Sequence, residues 1–158
     1  MSKGLDVGTS FLITAKETNE GEIEYVNFRD AFFKIKPATP IAGKMIEKGL
    51  KGLKFFKDID GSYVLVGVEA IEKAVERNDS AKRPLSKGVI SPKEKDARRV
   101  LKFILKELLG PPSESNEKIV YSIPASPVDE TEESFDVDYH CDVIGNDLKE
   151  LGYNAQPI

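Results

Sequence analysis

Gly4-Leu5-Asp6-Val7-Gly8-Thr9-Ser10 is the stretch on which the reading of this chain turns. An acid closes a short apolar strand, and a glycine followed by two small hydroxyl residues then turns the chain into a second strand. Glycine lets the backbone approach a ligand closely, and successive N–H groups and hydroxyls in a tight turn form an anion-binding concavity. An aspartate beside such a turn can hold a hydrated Mg²⁺ that neutralises phosphate charge. The turn leads to a strand and not to a helix, so neither the Walker A loop nor the Rossmann fingerprint describes it. An ordinary hairpin uses Asp and Gly as well, so the turn alone leaves both readings open.

Working outward, residues 3–7, 11–16 and 22–28 read as three strands of a meander, and 32–36 extends it after a bend at Arg29-Asp30. From 37 to 84 the texture changes. Residues 41–54 have helical spacing, with Ile46, Leu50 and Leu53 on one side and Lys44, Lys48 and Lys51 on another, weakened by Gly43, Gly49 and Gly52. Asp58-Ile59-Asp60-Gly61 forms a hairpin turn into a strand over 63–66, and Gly67 opens a helix carrying Val68, Ile71 and Val75. The strongest helix signal starts at Ser91. Ser91 and Glu94 make a capping box with Pro92 at the first helical position, followed by the stripe Val100, Leu101, Ile104, Leu105 and Leu108, stopped by Gly110-Pro111-Pro112. Residues 119–123 read as a buried strand. An acidic segment, 129–138, leads into a helix with Tyr139, Val143, Ile144, Leu148 and Leu151 in register, and a last strand begins within 153–158. This order describes an α/β chain in which an antiparallel meander joins parallel strands through crossover helices.

Four segments carry a resemblance. The opening stretch looks like the first phosphate motif of the actin, DnaK-type chaperone and sugar-kinase superfamily. Val64-Leu65-Val66-Gly67-Val68-Glu69-Ala70 resembles the strand-into-helix segment of the prokaryotic actin-like MreB proteins. Arg83-Pro84-Leu85-Ser86-Lys87-Gly88-Val89-Ile90 is similar to the MreB segment that re-enters the first subdomain, and Ile119-Val120-Tyr121-Ser122-Ile123-Pro124-Ala125 resembles the core strand that follows. All four stand in the family order. The resemblance implies a ribonuclease-H-like subdomain over 1–29 and 87–158 and a smaller inserted α+β subdomain over 30–86. It implies ATP and Mg²⁺ as ligands, with Asp6 acting through metal-bound water and Gly8, Thr9 and Ser10 enclosing the terminal phosphates. Lys16 is a further candidate phosphate contact, with a solvated strand end as the plainer alternative.

In that family, a sequence like Gln156-Pro157-Ile158 is followed by an Asn-Glu pair and a helix whose acid positions the attacking water. The resemblance therefore makes this chain the N-terminal portion, one wall of a nucleotide cleft, with no catalytic residue of its own. Such a chain is expected to bind nucleotide weakly and hydrolyse ATP poorly. The complete form would polymerise in a cytoskeletal or DNA-segregation role. The alternatives are a portion of a DnaK-type chaperone ATPase and a short, non-catalytic binding module derived from the same fold.

Composition fits a globular domain: of 158 residues, 40% are hydrophobic and 32% charged. No run approaches the roughly 20 apolar residues that span a bilayer, and Met1-Ser2-Lys3-Gly4 opens no signal peptide, so a cytoplasmic location is expected. A net charge of −4 offers no general reason to expect nucleic acid as a direct partner. Cys141 and His140 are the only cysteine and histidine, which excludes an internal disulfide and a cysteine metal cluster. Adjacent on a helix, they point about 100° apart and make no dyad. Ser122 and Ser126 have no base placed to activate them. Residues 34–57 hold seven lysines against Glu47, a charge of +6 that suits lipid or partner docking, although three glycines favour a solvated face. Residues 126–150 hold nine acids against one lysine, a charge of −8. Opposite patches of this kind suit head-to-tail self-association into filaments, while an acidic first turn complementing a helix dipole is the plainer account.

Overall fold

A computed structural model describes residues 2–91, 93–124 and 137–158. In chain order the elements are β1 (Ser2–Val7), β2 (Phe11–Glu17), β3 (Ile23–Arg29), β4 (Phe32–Ile35), α1 (Pro40–Gly49), β5 (Phe55–Lys57), β6 (Tyr63–Val66) and α2 (Val68–Glu76). These are followed by β7 (Leu85–Ser86), β8 (Val89–Ile90), α3 (Ala97–Leu109), β9 (Lys118–Tyr121), α4 (Val137–Glu150) and β10 (Asn154–Pro157).

The main sheet has five strands in the order β10-β9-β1-β2-β3. The meander β1-β2-β3 is antiparallel, with Val7 opposite Leu12 beside the first turn and Lys3 opposite Lys16 at the far end. On the other side of β1, β9 and then β10 run parallel to it. The expected mixed sheet is therefore present. Its core packs Leu5, Val7 and Leu12 against the α3 stripe Val100, Leu101, Ile104, Leu105 and Leu108, with Ile144 and Leu148 of α4.

The predicted start of α3 is corrected. The helix begins at Ala97, after Asp96, which makes no side-chain capping bond. Ser91 is not its cap because the Ser91 N–H donates to Pro84 O at 2.8 Å, which draws that residue into the β7–β8 hairpin. Glu94 pairs with Lys82 at 3.0 Å instead.

β4 does not extend the meander. It forms a second, antiparallel sheet in the order β4-β6-β5. The cause is long-range bonding: the Phe32 N–H and C=O pair with Lys82 at 2.8 Å each, and Asp30, in the bend, is fully buried. Strand alternation then gives this sheet two buried faces. Phe32, Val64 and Val66 join the main core, and Phe56 meets Phe103 of α3 with centroids 4.9 Å apart. Phe33, Ile35, Tyr63 and Leu65 face the other way, onto Leu50, Ala70 and Ala74. Lys34 extends from the first face to Asp58 at 2.7 Å, Asp96 at 2.9 Å and Asp60 at 3.1 Å, and Arg99 of α3 reaches Asp58 at 3.1 Å. One lysine of the basic segment is thus internally neutralised, and the turn over 58–61 is clamped to α3.

Two helix expectations also change. α1 stops at Gly49, short of 54, with the Thr39 hydroxyl accepting from the Ala42 N–H at 3.1 Å as its N-cap. α2 buries Ala70 and Ala74 and leaves Val68 and Val75 exposed. The acidic residues 129–136 lie outside the described residues. Among the described residues no helix is long and apolar enough to cross a membrane, and no group of His, Cys, Asp and Glu could hold a metal ion.

Candidate phosphate-binding turn

β1 and β9 end side by side, and the carboxyl ends of parallel strands are where α/β sheets collect ligand-binding groups. Asp6 and Val7 close β1, and Ser122 follows β9. The Ser122 N–H donates to Leu5 O at 2.9 Å, which fixes its backbone against β1. Its hydroxyl then donates to Asp6 Oδ1 at 2.7 Å and accepts from the Val7 N–H at 2.9 Å. An exposed carboxylate is thereby held in one orientation by a residue 116 positions away.

Thr9 and Ser10 form the tip of the β1–β2 hairpin. The Gly8 N–H donates to Phe11 O at 3.1 Å, and a Cβ on Gly8 would stand 2.8 Å from that same oxygen. Glycine is required here by the close approach of the backbone, since Gly8 does not adopt a positive φ. Among the described residues, the N–H groups of Thr9 and Ser10 donate to no protein atom. Two backbone donors and two hydroxyls therefore follow Asp6 within four residues, at the end of β1.

A strap formed by residues 82–88 lies against this turn. The Gly88 N–H donates to Thr9 Oγ1 at 2.8 Å, and Arg83 Nη1 approaches Ser10 Oγ at 3.4 Å. Gly88 has φ +87°, and a Cβ there would meet Pro124 at 3.0 Å, so the strap's tip sits between the turn and the end of β9.

Asp30 binds turn and strap together. Its N–H donates to Ser10 O at 3.1 Å, and its Oδ2 accepts from the Leu85 N–H at 3.3 Å. Oδ1 has no partner among the described residues. Burial pushes the Asp30 carboxyl up to about 7, against the opposing pull of the Leu85 N–H and the charges of Arg83 and Arg29.

Of the residues singled out in the sequence, the structure brings Asp6, Gly8, Thr9 and Ser10 together and leaves Lys16 apart. Lys16 stands at the opposite end of β2, ion-paired with Glu24 at 2.9 Å, both side chains about half exposed. Ser122, weighed above only as a nucleophile, serves as the partner of Asp6. Asp30 has one sequence signal, an acid set between Phe28 and Ala31-Phe32-Phe33. His140 is fully buried with neither ring nitrogen bonded among the described residues, and burial pushes its pKa down, favouring the neutral ring. Ser126 lies outside the described residues.

A lone carboxylate suits Mg²⁺ held through water better than a fully protein-ligated ion. The adjacent donors suit phosphate oxygens.

A protein-family model, Volactin, matches residues 1–158. No curated protein matches this chain. Among solved structures, Bacillus thuringiensis ParM in apo form is similar at 13% identity and a TM-score of 0.40. The similarity covers 90% of this chain and 38% of that one, so this chain spans well under half the ParM length.

Proposed function

The chain belongs to the Volactin family, and from that premise we propose that it is an actin-like protein whose residues 6–10 bind the terminal phosphates of Mg-ATP. The observation that carries this reading is the convergence of Asp6, Thr9, Ser10, Ser122 and the Gly88 N–H at the carboxyl ends of β1 and β9. In this reading the five-stranded sheet with its helices is ribonuclease-H-like, and residues 30–86 are the inserted part. The MreB-like assignment rests on the four sequence segments described above.

Asp6 would hold Mg²⁺ through water, and the ion would supply charge neutralisation for the phosphates. Ser122 keeps the Asp6 carboxylate aimed, and the N–H groups and hydroxyls of Thr9 and Ser10 receive the phosphate oxygens. No catalytic residue is assigned, and the proposed role of these groups is binding. Self-association into filaments is part of the same proposal, with the exposed lysines of α1, Lys44 and Lys48, as one charged surface.

The test is nucleotide binding by fluorescence of a labelled ATP, with and without Mg²⁺, on this chain and on Asp6→Ala. The variant is expected to lose at least about tenfold in affinity with Mg²⁺ and to match the unaltered chain in chelator, because only the metal-dependent contact is removed. Equal affinity under both conditions would remove Asp6 from the site.

A further inference from the structure

Turn and strap are suspended from the same short link between β3 and β4. Asp30 bonds to Ser10 of the turn and to Leu85 of the strap, and Phe32, two residues on, bonds to Lys82 at the strap's base. Arg83 is consequently fixed in backbone position between two anchored residues, and its exposed guanidinium lies over the hydroxyl of Ser10. That contact, at 3.4 Å, uses one of five N–H donors weakly, and the rest of the planar fork has no hydrogen-bond partner among the described residues. Lys82, the neighbouring cation, points away to Glu94. Among cations on the strap with a described partner, Arg83 is thus the one directed at the turn.

Resting on the reading of residues 6–10 as a phosphate turn, we propose that Arg83 is a phosphate-binding residue supplied to that turn by the strap. A phosphate group seated on the Thr9 and Ser10 N–H groups would replace the weak Ser10 contact with paired N–H···O bonds from the guanidinium. Such charge-assisted, two-pronged bonds are stronger and more directional than those of a lysine. Thr9, whose hydroxyl oxygen already accepts from Gly88, keeps its O–H free to donate to the same group.

The experiment is a ¹⁵N NMR titration of the full chain with Mg²⁺ and inorganic pyrophosphate, following the Thr9, Ser10 and Gly88 amides. Those three amides are expected to shift in the unaltered chain. Arg83→Gln is expected to weaken binding at least about tenfold, and Arg83→Lys, which keeps charge without the fork, by about threefold or more. Lys73→Gln, an equal charge change on α2 at the Glu76 pair, is expected to stay within about twofold. If Arg83→Gln titrates like the unaltered chain, the strap assignment falls and the phosphate turn stands. If Thr9 and Ser10 do not shift in the unaltered chain, both fall. Should Arg83→Gln disturb amides throughout the sheet, Arg83→Lys decides: the threefold loss supports the assignment and full affinity overturns it.

Discussion

The two ends of the five-stranded sheet both gather charged and polar side chains, and they treat them oppositely. At the end where β1 begins, Lys3 donates to the Tyr153 hydroxyl at 2.8 Å and to Leu109 O at 3.3 Å, lies 3.4 Å from Glu117, and sits over the Tyr153 ring. Glu117 in turn accepts from the Ser113 N–H at 2.7 Å. Burial opposes its charged form, but Ser113 and Lys3 together hold the carboxyl below its ordinary range. At the end where β1 finishes, Asp6 is exposed, the Thr9 and Ser10 N–H groups are unpartnered among the described residues, and Asp30 keeps a buried oxygen unbonded. Polar groups that saturate one another hold a fold shut. Groups left under-satisfied are the ones with bonding capacity to offer a ligand.

The comparison breaks most visibly at the saturated end. Lys3→Met or Glu117→Gln leaves one member of a nearly buried pair uncompensated, at a cost of about 3–5 kcal/mol in urea unfolding, with no direct effect on the turn. A loss below about 1 kcal/mol would place that pair with ordinary surface ion pairs.

A smaller effect belongs to Asp30. Its carboxyl is raised in the folded chain, so between pH 4 and about 7 the folded state holds a proton that the unfolded state has released. This contribution is greatest at low pH and is lost as pH rises through about 7. Relative to Asp30→Asn, the unaltered chain should lose about 3 kcal/mol of stability from pH 5 to pH 8, measured as the difference between the two unfolding curves. Parallel curves would mean that Asp30 stays ionised when buried.

The smallest effect is expected at Lys16. Lys16→Ala removes a half-exposed pair with Glu24, so unfolding should change by less than about 1 kcal/mol and Mg-nucleotide affinity should not change. A clear loss of affinity would extend the site across the sheet to its other end.

What the sequence shows, it shows through local pattern. The meander follows from alternation and tight turns, and the α3 stripe from helical spacing. β4 is mistaken for a fourth meander strand because its partner is decided by the pairing of Phe32 with Lys82, 50 positions away, and by the burial of Asp30. The capping box at Ser91 has the right residues, but its N–H is already engaged by Pro84. On α2 two apolar stripes compete. The larger one, Val68, Ile71 and Val75, is the natural choice from hydrophobicity, yet Ala70 and Ala74 are the residues that face the second cluster. At the site, residues 6–10 are legible because their chemistry is contiguous. Their partners Arg83, Gly88 and Ser122 are 73, 79 and 116 positions away, and no periodicity connects them.

The second sheet acts as a party wall. Its strands contribute side chains to both apolar clusters, so prising away the portion built from residues 30–86 would strip Phe32, Val64 and Val66 from the main core as well. Opening at that boundary would therefore expose apolar surface of both clusters at once. The hairpin tip at Thr9 and Ser10 and the strap's tip at residues 86–88 belong to neither cluster, so a phosphate would meet backbone held by hydrogen bonds and not by apolar packing.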